Sequence, residues 1–343
     1  MPLKTIVKIK AFCLSLFLAA GTANAQSGAP LWVNEMYKAF NESDWVCAVV
    51  QGASKQEAES AAAASLARAF NVDVKSVSNV MQSFSQSQTS FSQDKSLKQQ
   101  VDTSSDVAGL MGVITDFWTA PDGTCYAIAR MNRKEGATTY SPIIKQYSST
   151  IETLLEDAAA APGTFAAYEA LAFASNLATL NDNYLNILSV LNNSARQSIK
   201  ISYGGAAAVR NLMQKAASEI VIYVEVSGDE AGNIAKAFAS VFSKRKFKTS
   251  SVPYRATYTL SAEFSLENKE EAPGNTHRVR YLINAVLQDS DGEELLSFTE
   301  NKRVTSTTQS NADIRAVRDA EKSITGTGFA KNFDEYLASL LGK

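Results

Sequence analysis

A chain of 343 residues, 45% apolar and 20% charged, is long enough for two domains and ordinary in composition for a globular protein. Its formal charge of −2 argues against a nucleic-acid binder, which needs a concentrated basic face. One histidine, His277, excludes a multi-histidine metal site, and a serine triad would have to use that single residue.

The first residues read as a secretory signal peptide. Lys4, Lys8 and Lys10 form a basic start, Ala11 to Ala20 a short apolar core, and Ala23-Asn24-Ala25 a small-x-small cleavage signal before Gln26. Cleavage after Ala25 removes those three lysines and no acid, taking the formal charge from −2 to −5. Cys13 lies inside the apolar core and has no lipobox around it, so no lipid anchor is expected. No later run approaches the roughly 20 apolar residues of a membrane span. The mature chain is expected in the periplasm or outside the cell.

Residues 26–44 form a lead-in, with Leu31, Trp32, Met36, Tyr37 and Phe40 at near-helical spacing. Trp45 to Val50 is mostly apolar and reads as a buried strand ended by Gln51-Gly52. Ser54-x-x-Glu57 is a capping box, and the helix behind it runs to about Phe70 with a small-residue face around Ala58, Ala62 and Leu66. Val72 to Val80 then reads as a half-polar strand. The Ser/Gln-rich tract from Gln82 to Ser105 follows. A strand continuing to Thr89 with a helix from Phe91 to Val101 stands there against a mobile insertion. Val107 to Trp118 and Thr124 to Met131 are strands joined at Pro121-Asp122-Gly123, whose residues suit a tight reversal.

Two helices come next. Ser141-Pro142 reads as a helix start, a capping serine before a proline that needs no donor. Pro162-Gly163 breaks that helix. A second one carries Phe173, Leu177, Leu180, Tyr184, Leu188 and Leu191 on one stripe, so the pair forms a helical hairpin.

The last block starts near Gly204-Gly205. Ala206 to Ser218 reads as a helix and Ile220 to Val226 as a strand. Ser227-x-x-Glu230 reads as the cap of a helix that Lys244-Arg245-Lys246 ends. Strands are expected over Phe247 to Val252 and Tyr254 to Leu266, then a charged loop from Glu267 to Asn275. Val279 to Leu287 and Leu295 to Thr305 form a hairpin around Asp291-Gly292. Helices over about Ser310 to Ile324 and Ala330 to Leu341 finish the chain.

The chemistry-bearing motifs are thin. Asp289-Ser290-Asp291-Gly292-Glu293-Glu294 lacks the ligand spacing of a calcium loop and reads as a hairpin turn. Ser323 to Gly328 has no lysine and follows a helix, so it is a helix–helix turn and not a phosphate cradle. Two cysteines survive processing, Cys47 and Cys125. An even count in an oxidising compartment invites a disulfide between them, against the alternative of two separate buried thiols.

The succession Trp45-Val46…Gly52, Ala58…Ala61…Ala64…Leu66-Ala67, Val74-x-Ser76-Val77-Ser78, Gly112-Val113-Ile114…Trp118 and Tyr126 to Arg130 resembles the LPP-type domain, the family of a twenty-kilodalton outer-membrane lipoprotein. It is also similar to the N-terminal domain of flagellar assembly protein T. The resemblance covers about residues 43–133. Residues 220–343, through Val221-Ile222-x-Val224…Gly228-Asp229…Ile234…Phe238…Phe247, are similar to TolB-N/CsgG-like modules. These likenesses imply structural or assembly roles, with a link to the outer membrane or flagellar base and no catalytic set to transfer.

The expected fold class is α+β. A signal peptide (1–25) precedes a small antiparallel-sheet module with a packed helix (26–133). A helical hairpin (134–200) and a second α+β domain (201–343) follow. The expected function is a non-catalytic scaffold or assembly role at the cell envelope, through contact with another envelope protein or a second copy of the chain. No catalytic residue, cofactor or metal is expected, and no nucleic acid or integral membrane segment. The alternative is a binding module for a small or cell-wall ligand.

Overall fold

A computed structural model describes residues 28–86, 110–272 and 276–341. The signal-peptide expectation therefore lies outside the described residues, as does the helix expected from Phe91 to Val101. The fold is α+β, with one sheet of three antiparallel strands and one mixed sheet of five.

The lead-in is two single helical turns, Leu31–Asn34 (α1) and Met36–Ala39 (α2), broken at Glu35. Strand Trp45–Gly52 (β1) follows. Helix Lys55–Ala69 (α3) starts at the expected capping box: the Ser54 hydroxyl accepts from Glu57 N–H at 3.3 Å, and the Glu57 carboxylate accepts from Ala53 N–H at 3.1 Å. Its alanines Ala58, Ala62, Ala63 and Ala67 are buried, so the helix axis lies close to the sheet.

The strand expected over Val72 to Val80 is instead a helix, Val74–Gln86 (α4). Val74, Val77, Val80 and Met81 recur at three- and four-residue steps. The first, third and fourth turn out to be one face with Val77, since Val77 and Val80 are buried and Val74 and Met81 pack against the same core. Asp73 supplies the start, accepting from Ser76 N–H at 3.1 Å. β-branched residues suggest a strand, but here their spacing and the cap decide.

The hairpin Ile114–Thr119 (β2) to Cys125–Asn132 (β3) forms at the expected turn, but its first strand begins at Ile114 and the described residues 110–113 before it are not part of it. Its turn closes through Ala120 N–H to Thr124 O at 2.8 Å, with Gly123 at φ +86°. β3 is the central strand, and β1 and β2 flank it.

The first hairpin helix does not start at Ser141. It runs Arg133–Ala160 (α5) directly out of β3, capped by the Asn132 side chain, which accepts from Lys134 and Glu135 N–H at 3.0 Å each. Pro142 lies inside it, and Ser141 donates back to Ala137 O at 2.7 Å. Its partner is Phe165–Leu191 (α6), capped by Thr164, and the short helix Asn193–Ser198 (α7) follows. One continuous core joins the inner face of the small sheet, α3, α4, α5 and most of α6. Within it Tyr140, Tyr147 and Tyr184 pack edge to face or tilted, 5.3 to 5.8 Å apart.

Ala206–Glu219 (α8) leads into Val221–Ser227 (β4). The helix Asn233–Lys244 (α9) is not capped by Ser227 and Glu230. Gly232 occupies its N-cap position, and Asp229 accepts from Asn233 and Ala235 N–H at 3.0 and 2.8 Å. Strands Lys248–Ser250 (β5), Tyr258–Ala272 (β6), Thr276–Asp289 (β7) and Glu294–Ser306 (β8) complete the larger sheet, ordered β5-β4-β6-β7-β8. The expected loop from Glu267 is a continuation of β6, because its backbone stays paired with β7 as far as Ala272 opposite Thr276. Helices Gln309–Thr325 (α10) and Phe329–Ser339 (α11) lie with α9 on one face of this sheet. The other face presents Thr259, Ser261, Asn284, Ser297 and Thr299.

Gly228 follows β4 at φ +75°, and a Cβ there would collide with the Phe264 carbonyl oxygen. Asp289 closes the β7–β8 turn by accepting from Asp291 and Glu293 N–H at 3.0 and 2.8 Å. Its carboxylate is thus part of the turn that the Asp-Gly pair announced.

Candidate functional site

The two cysteines do not form the expected pair. Both are free and buried. Cys47 is opposite Arg130 and Cys125 is opposite Gly52, so they are five registers apart along neighbouring strands, about 16 Å. They also face opposite ways. Cys125 belongs to the main core, and Cys47 packs with Trp32 and Ile128 on the outer face of the sheet. A strand at each end of the module does bring β1 beside β3, but pairing needs matching register and face as well. Burial pushes the Cys47 thiol up to about 11, with Arg130 and Arg133 pulling the other way.

That outer face collects unusual side chains. The chain has three tryptophans, and Trp32, Trp45 and Trp118 all lie here. Alternation along the strands directs Trp45, Cys47 and Val49 of β1, Tyr126, Ile128 and Arg130 of β3, and Trp118 of β2 to this side. The lead-in lies across them. Trp32 is buried, while Trp45, Trp118, Tyr126 and Phe40 stay half-buried.

Arg130 is set among these rings. Its guanidinium is 4.4 Å from the Phe40 centroid and 5.7 Å from that of Trp45, and it forms an ion pair with Asp116 on β2. Each such cation–ring contact contributes roughly 0.5–2 kcal/mol, depending on desolvation. Trp118 and Tyr126 are direct cross-strand neighbours with centroids 5.7 Å apart. At the margin, Leu31, Tyr37 and Ile114 are exposed large apolar residues. A half-buried layer of Trp, Tyr and Arg has the composition of a protein-binding hot spot.

A cleft of about 660 Å³ opens nearby, between the turn at Ser43-Asp44, the first turns of α5, the end of α6 and α7. Asp44, Arg133, Lys134, Glu135, Leu191 and Asn192 line it, so cations and carboxylates balance. Much of its polar lining is already used by the fold. Arg133 donates to Glu42 O at 2.9 Å and to Val190 O, and Thr138 donates to Lys134 O at 2.9 Å.

A third place of interest is the seam where α6 meets the second core. Phe165, the first residue of α6, belongs to that core and not to the first. One turn along lies Glu169. Burial pushes its carboxyl up to about 7, repulsion from Asp334 on α11 adds to the rise, and Arg245 opposes it. Arg245 at the end of α9 pairs with Asp334 and lies 5.2 Å from the Phe333 centroid.

Among the described residues no three His, Cys, Asp or Glu side chains gather as a metal-binding group, and no helix is long and apolar enough to cross a membrane. His277 lies at the start of β7, opposite Ser306. Sequence reasoning missed the convergence on Arg130. The tryptophans at 32, 45 and 118 were visible as residues, but only the strand register gathers them.

No protein-family model and no curated protein matches the chain. Solved structures similar to it include a minor lipoprotein from Acinetobacter baumannii, at 12% identity and TM-score 0.27, covering 33% of this chain and 94% of that one. A secreted protein from Helicobacter pylori matches at 12% identity and TM-score 0.40, over 87% of this chain and 99% of that one. PelC from Paraburkholderia phytofirmans, crystallised as a dodecamer, matches at 16% identity and TM-score 0.24, over 36% of this chain and 90% of that one.

Proposed function

We propose that this chain is an exported protein of the cell envelope that acts without catalysis, as a scaffold or assembly factor that binds another envelope protein. The export half of the reading is supported by the amino-terminal sequence, with its basic start, apolar core and Ala-x-Ala signal. On the same reading, residues 43–133 are an LPP-type domain.

The observation that carries the contact half is the outer layer of the small sheet. All three tryptophans, Tyr126 and Arg130 stand there, with Tyr37 and Ile114 exposed at its margin. These are the residue types that dominate binding energy when a partner covers them.

Photo-crosslinking in living cells tests this. A photoreactive residue at Tyr37 or Ile114 is expected to give one discrete protein adduct, and the same residue at Thr299 on the larger sheet to give none. Absence of any adduct from the first two positions, or a saturable turnover abolished by one substitution, would remove the reading.

The cleft supports a second reading, a module for a small or cell-wall ligand, since its volume falls within the range of small-molecule sites. A ligand at about 100 times its dissociation constant adds about 2.7 kcal/mol of stability. A thermal-shift screen of envelope glycans that moves nothing would dispose of it.

A further inference from the structure

One corner of the larger sheet is basic in a chain that is not. Between Glu230 and Glu263 the sequence carries Lys236, Lys244, Arg245, Lys246, Lys248 and Arg255 and no acid, although acids outnumber Lys and Arg by 35 to 33 over the whole chain. The fold gathers most of these. α9 ends at Lys244, β5 begins at Lys248 on the edge of the sheet, and a 3-10 turn, Pro253–Arg255, leads on to β6. Lys248 N–H donates to Ile220 O at 3.0 Å and Thr257 N–H to Val221 O at 2.8 Å, so both segments meet at the start of β4. Lys244, Lys246, Lys248 and Arg255 are exposed there. Two acids border the corner and each already has a cation, Glu219 with Lys215 at 4.0 Å and Asp334 with Arg245. Tyr254 stands beside them at 80% exposure, the most exposed large apolar side chain among the described residues.

Lys246 carries a second signal. α9 closes with Phe247 N–H to Phe242 O at 3.3 Å and Lys246 N–H to Ser243 O at 3.0 Å, a helix end that puts Lys246 in the left-handed region at φ +68°. Glycine is the usual residue at that position, and a side chain there is strained. The helix dipole is served as well by Lys244 and Arg245. An exposed lysine kept in strain points to a use for its charge outside the chain.

We propose that this corner docks the protein on an anionic membrane surface, with the cations on lipid phosphates and Tyr254 in the headgroup layer. The partner class follows from the side chains. Lysines, compact charges on flexible stems, predominate over the rigid arginine fork that suits a fixed ligand. A protruding tyrosine has the amphipathic shape of the membrane interface. The acidic turn from Asp289 to Glu294 lies at the same end of the sheet, since Asp289 is opposite Tyr258, but β7 is three strands from β5. That is about 14 Å, beyond a Debye length of about 8 Å at physiological salt. The corner belongs to the other sheet and takes no part in the tryptophan layer.

Co-sedimentation of the chain from Gln26 onward with lipid vesicles tests the docking. Vesicles of phosphatidylglycerol and phosphatidylethanolamine are expected to bind it, phosphatidylcholine vesicles are not, and raising salt from about 0.05 to 0.5 M is expected to release it. Joint replacement Lys244→Gln, Lys246→Gln and Lys248→Gln is expected to lower the affinity about a hundredfold, at roughly fivefold for each cation. Lys145→Gln, on α5, is expected to change nothing. In Lys246→Gly, relief of the left-handed backbone is expected to raise the melting temperature while vesicle affinity falls about fivefold. No binding to anionic vesicles, or equal binding by the triple variant, overturns the proposal. So does full affinity in Lys246→Gly, or soluble polyphosphate bound as tightly as the vesicles, which would assign the corner to a free polyanion.

Discussion

Phe165 and Tyr258 are joined twice. Their rings stack 3.8 Å apart, and the Tyr258 hydroxyl accepts the Phe165 backbone N–H at 3.0 Å. That N–H belongs to the first turn of α6 and has no intrahelical acceptor, so a side chain from β6 completes the helix start. Tyr258→Phe keeps the ring and removes the acceptor, at an expected cost of about 1–3 kcal/mol. Phe165→Ala removes the ring from a packed aromatic cluster, at an expected cost of about 3–5 kcal/mol. Urea unfolding midpoints read both, and the order of the two costs is the check.

Thiol chemistry distinguishes free cysteines from a bridge. Unreduced protein in denaturant is expected to show two reactive thiols, Cys47 and Cys125. In the native protein at pH 8, the raised Cys47 group has roughly a hundredth of the usual thiolate fraction, and its reaction with a disulfide reagent slows accordingly. Finding no thiol in denaturant would restore the bridge.

Asn181 is fully buried between the hairpin helices. The two N–H groups of its amide are shared among three acceptors, Ile144 O at 3.3 Å, the Ser148 hydroxyl at 3.0 Å and the Tyr203 hydroxyl at 3.0 Å. It thereby ties the segment before Gly204 onto α5 and α6. Asn181→Ala is expected to destabilise by about 1–3 kcal/mol, and Tyr203→Phe by less, because an acceptor remains for each of the two amide N–H groups. Thermal unfolding of the two variants side by side gives the ranking.

Gly228→Ala is expected to be among the worst small substitutions in the chain. The left-handed backbone alone costs roughly 1–2 kcal/mol for a side chain, and the added carbon would meet the Phe264 carbonyl. Loss of soluble protein, or a midpoint lowered by more than about 2 kcal/mol, checks it. A neutral result would mean that the chain can leave β4 by another path.

Much of the fold was legible because local signals agreed with tertiary packing. The Ser54 box, the Pro121 to Gly123 turn and the Asp291-Gly292 turn each fix their own backbone. Failures came where a residue's usual meaning yielded to its neighbours. Valines 74, 77 and 80 prefer strands, yet an Asp73 cap and a buried face make them helical. Pro142 lies inside α5 and not at its start, because the Asn132 cap begins that helix ten residues earlier. The cysteine pairing failed on register and face, which no single strand reveals. Glu169 is one acid among many until Phe165 is seen to belong to the second core and not the first.

The helix α6 has 27 residues, about 40 Å end to end, and its first turn and its remaining length are embedded in different cores. Neither half can therefore be excised whole. A fragment stopping at Gly205 would display Phe165 as a bare oily tip, and one starting at Ala206 would have a hollow among Phe247, Tyr258 and Phe333. The beam built to brace the molecule also forbids its dissection, so tags and fusions belong at the ends or in the turn loops.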